Sequence, residues 1–144
     1  MNAHDEKHFA HATAADLHGP WAKQPFALSF APEAGETHLW APHVIRHDGR
    51  YWMFYSAGGP PAQYRLHLAV SADCWNWSRH EGNPLVVDGY EARDPMVLRV
   101  GSKWVMYYTA TSTPDGGQFV VKAVTSDDLV AWSDTRVVYT DPRV

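Results

Sequence analysis

One acidic side chain in this sequence stands where chemistry could be done. Asp94 lies in the run Glu91-Ala92-Arg93-Asp94-Pro95-Met96-Val97-Leu98-Arg99-Val100, which reads as the start of a buried β-strand with a carboxylate held at its mouth. A carboxylate so placed can exchange a proton or stabilise positive charge. The same frame occurs upstream as Trp40-Ala41-Pro42-His43-Val44-Ile45-Arg46, with alanine where Asp94 sits. By register Trp40 matches Arg93 and Ala41 matches Asp94. If the frame itself needed a carboxylate, both positions would carry one, and Ala41 does not. Asp94 is therefore either an acid facing a ligand or a turn residue that caps its own loop or pairs with Arg93. Trp40 reads either as a pocket wall or as a structural rim tryptophan. His43, one residue past Pro42, either faces the same side or is packed.

Other polar residues carry less. His4, His8 and His11 have helical spacing, but nothing nearby completes a metal site. The single cysteine, Cys74, excludes an intrachain disulfide, and no cysteine pattern suggests structural zinc. A net charge of -4 and only three basic residues between positions 40 and 70 (Arg46, Arg50, Arg65) give no electrostatic reason to expect a nucleic-acid partner. The N-terminal MNAHDEKHFAHATAADLHG has no apolar core of a signal peptide, and no stretch approaches the ~20 apolar residues of a membrane helix. As written, the chain is expected to be cytoplasmic, with no membrane partner. An extracellular or periplasmic location is expected if the N-terminus is truncated.

The elements that position Asp94 are visible as a repeat. Residues 42–57 (PHVIRHDGRYWMFYSA) and 95–110 (PMVLRVGSKWVMYYTA) align without gaps at an offset of 53. Pro, Val, Arg, Met, Tyr and Ala recur in register, and each copy holds a hairpin signal, His47-Asp48-Gly49-Arg50 and Val100-Gly101-Ser102-Lys103, between two strand-like runs. A second repeated unit runs from a strand through a turn with Asp to a tryptophan. It appears at 9–21, 66–77 and 120–132, where the Asp should satisfy turn amides and the Trp pack the next strand. The aromatic content, 13% of the chain, suits strands and also surfaces that stack on sugars.

A period of 53–55 residues with four short strands per unit predicts β-propeller blades. The first full blade is expected over 42–47, 50–57, 65–71 and 75–79, and the second over 95–100, 103–110, 118–126 and 131–138. Residues 9–26 should supply the last two strands of a preceding blade, and residues 1–8 should fray. Pro42 and Pro95 are expected at the first positions of inner strands. Gly58-Gly59-Pro60-Pro61 and Pro114-Asp115-Gly116-Gly117 should be loops, and no helix is expected. The fold class is thus all-β, a propeller fragment of about two and a half four-stranded antiparallel blades. By domain this gives a frayed 1–8, then 9–39 as the end of one blade plus linker, 40–92 as a full blade and 93–144 as another. Open blade edges would leave apolar faces and unpaired strands, so self-association through them is a further expectation.

Trp40-Ala41-Pro42 with its DGRYWMFYSA hairpin, then Arg93-Asp94-Pro95, then the Ser126-to-Trp132 corner, resembles glycoside hydrolase family 43. It is also similar to the related β-fructosidases, which share a five-bladed propeller and an Arg-Asp-Pro motif. The resemblance covers nearly all of the chain after about residue 9. It implies three carboxylates around a channel: a base or nucleophile on the first blade, a glutamate acid on a later blade, and a supporting aspartate in the Asp-Pro motif. Only the third carries over, as Asp94, with Arg93 as a sugar-hydroxyl-binding arginine and Trp40 as a pocket wall. Asp5 has no proline and no strand after it, and Glu33, Glu36, Glu81 and Glu91 sit in loops outside the expected register. The resemblance requires no cofactor and allows calcium in the complete propeller.

The expected function is a fragment of a glycoside hydrolase acting on arabinose-, xylose- or fructose-containing glycans, which alone does not hydrolyse them. A non-catalytic carbohydrate-binding propeller and a self-associating structural module are the alternatives.

Overall fold

The structure, a computed structural model, describes residues 6–58, 64–141 and 143. Ten strands form three antiparallel sheets. A two-stranded sheet pairs β1 (His8–Thr13) with β2 (Ala22–Ser29). The first four-stranded sheet has the order β3 (His38–His47), β4 (Arg50–Gly58), β5 (Arg65–Ser71), β6 (Trp77–Arg79). The second has β7 (Ala92–Val100), β8 (Lys103–Thr113), β9 (Gly116–Ser126), β10 (Arg136–Thr140) in the same meander. This is a propeller fragment of a half-blade and two blades. Among the described residues the only helical element is a short 3-10 turn, Pro32–Ala34.

The 53-residue repeat is a repeat of hydrogen-bond register. Val44 pairs with Met53 and Val97 with Met106, and both first strands carry a bulge, between Trp40 and His43 and between Arg93 and Met96. The hairpin turns follow their residues. Asp48 and Gly49 both take positive φ, as a type I′ turn requires, whereas Gly101 alone of its pair does so, as in type II′.

Alternation on each strand builds the faces. Val97, Trp104, Met106, Tyr108, Val120 and Val124 on one side of the second blade bury against Phe54, Leu66 and Leu68 of the first. The other face of the first blade, with Met53, Tyr55 and Ala69, buries Phe9 and Leu28 of the half-blade. The first strands converge, since β7 packs on β3, β4 and β5. The Asp–Trp corners work as turn chemistry predicts. Asp73 accepts the amides of Trp75 and Asn76, and Asp128 those of Val130 and Ala131. These bonds hold both carboxyls below the usual carboxylate range.

Several boundaries differ from the sequence reading. The inner strands begin four and three residues before Pro42 and Pro95, so each proline follows a bulge instead of opening a strand. The last strand of the second blade runs Arg136–Thr140, not 131–138, because Trp132 belongs to the corner and packs edge-on to Phe54 at 5.9 Å. The sixth strand starts at Trp77, not 75. Fraying over 1–8 does not extend to residues 6–8: the Glu6 carbonyl accepts from the Leu39 amide, that of Lys7 from Phe30, and His8 opens β1. The part of that expectation on residues 1–5, with His4 and Asp5, lies outside the described residues, as does Gly59-Pro60-Pro61. A strand does begin at His8, shortly after Asp5. His8 and His11 are on that strand, not a helix, stacked on Phe26 at 4.4 Å and against Trp75 at 4.6 Å.

Candidate functional site

Asp94 occupies the bulge of β7 with φ 55°, and Ala41 occupies the matching bulge of β3 with φ 48°. Aspartate visits this left-handed region more readily than alanine, whose Cβ crowds the following carbonyl. A bulge re-aims one side chain out of the alternating pattern. The Asp94 side chain is 51% exposed, and its Oδ2 lies 3.6 Å from Arg93 Nε. The Asp94 amide donates to the hydroxyl of Ser56, a fully buried residue on β4 of the preceding blade, at 2.9 Å. One blade therefore pins the bulge of the next.

Arg93 is held from three sides. Its Nε is 3.0 Å from Glu91 Oε1, its guanidinium lies 4.8 Å from the Phe119 ring centroid, and Asp94 completes the group. In the first blade the same place is taken by an aromatic pair. Trp40 stacks on Tyr64 at 4.5 Å, His38 Nε2 bonds the Tyr64 hydroxyl at 2.8 Å, and the Trp40 and His38 rings are 4.8 Å apart. Tyr64 joins the two groups, because its carbonyl accepts from the Ala92 amide and it forms a bridge with Glu91. Burial raises the Tyr64 pKa, the Glu91 charge raises it further, and Arg93 pulls it back. A cleft of about 320 Å³ beside Trp40 is lined by Glu6, His8, Leu39, Ala41 and Pro42 among others.

Of the residues singled out in the sequence, Arg93 and Asp94 touch, and Tyr64 with Glu91 links them to Trp40. His43 stands apart from this group. Its Nε2 bonds the Val97 carbonyl at 3.0 Å, stitching β3 to β7. Among the described residues no group of three or more His, Cys, Asp or Glu side chains could hold a metal ion.

Sequence reasoning missed three carboxylates by treating them as loop residues out of register or by passing over them. Glu91 is one. Glu36 is 1% exposed and accepts from Arg79 Nε and Nη2 (2.9 and 2.6 Å), the Ala31 amide (2.8 Å) and the Tyr55 hydroxyl (3.0 Å). Burial alone would raise its pKa, but these bonds leave it lowered. Asp88 takes the corresponding place in the next blade, accepting from the Tyr108 hydroxyl and Lys122 Nζ, both at 2.9 Å. Tyr55 pairs across the sheet with His67, and Tyr108 with Lys122. Each blade thus gathers a buried tyrosine, a linker carboxylate and a cation, Arg79 in the first and Lys122 in the second. The signal was available: Tyr55 and Tyr108 share a frame position, and Glu36 and Asp88 fall within one residue of sharing one.

Comparison with known proteins fits this architecture. A probable arabinan endo-1,5-α-L-arabinosidase C of Aspergillus fumigatus is 29% identical over 90 residues, 53% of this chain and 28% of that one. A β-1,2-mannobiose phosphorylase of Thermoanaerobacter is 27% identical over 118 residues, 69% of this chain and 39% of that one. A Bombyx mori GH32 β-fructofuranosidase superposes with TM-score 0.73 at 22% identity, over 87% of this chain and 27% of that one. A GH43 β-xylosidase/α-arabinofuranosidase from a compost metagenome gives 0.71 at 17%, over 92% and 48%. The chain spans less than half the length of each of these proteins, from 27% to 48%. Its residues 1–143 match the family model for the glycosyl hydrolases family 32 N-terminal domain, and the chain belongs to that family.

Proposed function

We propose that this chain carries the supporting third of a glycosidase active site for arabinose-, xylose- or fructose-containing glycans. Trp40 and Tyr64 form a face on which a sugar ring stacks, and Arg93 donates to its hydroxyls. Asp94 lends negative charge to the oxocarbenium-like transition state and tunes the proton donor. The observation that carries this reading is the exposed Asp94 paired with a half-buried Arg93, set in a left-handed bulge beside the Trp40–Tyr64 stack. Cleavage also needs a base or nucleophile and an acid. Glu91, the carboxylate beside Arg93, is engaged with that arginine. The chain by itself therefore binds sugar without turning it over.

Titration calorimetry with arabinotriose, xylotriose and sucrose at millimolar concentration tests this. Binding of at least one sugar, weakened about tenfold or more by Arg93→Ala, is expected. No heat with any of the three would remove the reading.

Self-association is the second reading, favoured by the outer face of the second blade. Met96, Leu98, Val100 and Tyr139 are exposed there, at frame positions like those by which the first blade packs on the second. Sedimentation showing a monomer at all concentrations would remove it.

A further inference from the structure

Glu91 is a carboxylate that the proposed chemistry does not use, yet it is built in with care. It is 5% exposed. Its amide donates to the Asp88 carbonyl at 3.2 Å, and the next amide, Ala92, donates to Tyr64 at 3.0 Å. The linker reaches this point by passing tightly under the β8–β9 hairpin at Gly89, where a Cβ would meet the Pro114 backbone at 2.6 Å. Main chain on both sides therefore fixes where the Glu91 carboxylate begins.

The carboxylate forms an ion pair with Arg93 at its Nε end, 3.0 Å away but out of line for a hydrogen bond, so the Nε proton is shielded by burial and exchanges only when the ion pair opens. Among the described residues no hydrogen bond engages the Nη groups, which leaves their four N–H donors for a ligand. The Arg93 guanidinium carbon lies over the Phe119 ring, 4.8 Å from its centroid. An arginine without such a brace samples many rotamers, and ordering them on binding costs affinity. The repeat supplies an independent argument. Glu91 holds the frame position of His38, and His38 braces Trp40 and Tyr64 as Glu91 braces Arg93. In both blades the residue two before the presenting side chain holds it in place.

We propose that Glu91 is a positioning residue: its buried carboxylate holds the Arg93 guanidinium through an ion pair beside its Nε edge, over the Phe119 ring and next to Asp94, so that the Nη edge is preset for sugar hydroxyls. The proposal rests on the sugar-binding reading for its purpose, but not for its geometry. Asp94 then stays free of the role of sole counter-ion.

The full chain labelled with 15N, with the Arg93 Nε–H signal assigned by its loss in Arg93→Lys, provides a readout that needs no ligand. In Glu91→Gln the exchange of that proton with water should speed up at least tenfold. The Kd for arabinotriose should rise about tenfold by loss of preorganisation. Glu91→Asp, which keeps the charge but draws it back by one methylene, should fall between. If Glu91→Gln does not fold, the Glu91→Asp exchange rate decides alone. An Arg93 Nε–H exchange rate and arabinotriose Kd unchanged from the parent chain, even with a lowered Tm, would overturn the proposal. If the parent chain binds no arabinotriose, the sugar reading has failed, and the exchange rate still decides whether Glu91 locks Arg93.

Discussion

Lowering the pH to about 5 should loosen the first blade through one residue, His67. It is 6% exposed, and its ring lies 3.8 Å from Glu36, too far for a hydrogen bond. Burial pushes its pKa down from 6.5 to about 4; the Glu36 charge works against that shift, and the Arg79 and Arg65 charges add to it. In the next blade the same cross-strand position holds Lys122, paired to Asp88. In the first blade Arg79 already supplies the cation to Glu36, so His67 is kept neutral. A folded pKa below the unfolded one means that the unfolded chain binds the proton first. The stability is therefore fully present above about pH 6.5 and is lost as pH falls toward about 4. Integrating the two titrations gives a loss of about 2 kcal/mol by pH 5 and about 3 kcal/mol by pH 4. Urea unfolding at pH 7 and 5, for the parent chain and for His67→Gln, isolates the effect, because glutamine cannot take the proton. The parent chain should lose about 2 kcal/mol more than the variant over that interval. Equal losses, within about 0.5 kcal/mol, would refute a neutral buried His67.

Three further substitutions test the architecture. Ala41→Asn should stabilise the chain by about 0.5–1 kcal/mol in urea, because asparagine tolerates the left-handed bulge better than alanine. Ser56→Ala should cost about 1–3 kcal/mol and speed exchange of the Asp94 amide, which loses its acceptor. Glu36→Ala should cost about 3–5 kcal/mol, since it strands the Arg79 guanidinium, the Tyr55 hydroxyl and the Ala31 amide; thermal unfolding reads it.

Much of the fold was legible because its determinants are local. Hairpin turns, alternating strands and Ser-x-Asp corners each use residues within a few positions, and the 53-residue period multiplied the signal. The register that sets Asp94 against Ala41 came from the same frame, and the two residues lie in matching bulges of β7 and β3. What sequence could not show is how blades grip each other. Arg79 meets the Ser29 carbonyl of the half-blade across 50 residues, and Ser56 meets Asp94 across 38, so neither pair leaves a local pattern. Trp132 looked like a strand residue because large aromatics favour strands. Its place was decided instead by the space beside Phe54 between blades. Glu91 looked like a loop carboxylate because its partner is an arginine two residues away, a spacing that on a regular strand would share a face without explaining burial.

The central claim is that the first and second blades together present a sugar-binding mouth at Trp40, Tyr64, Arg93 and Asp94. Titrating arabinotriose into the 15N-labelled chain and mapping amide shifts residue by residue tests it most directly. Shifts should concentrate at 38–41, 64 and 91–94, and be abolished in Arg93→Ala while the rest of the spectrum is preserved. Shifts centred on another surface, or none at millimolar sugar, would contradict it.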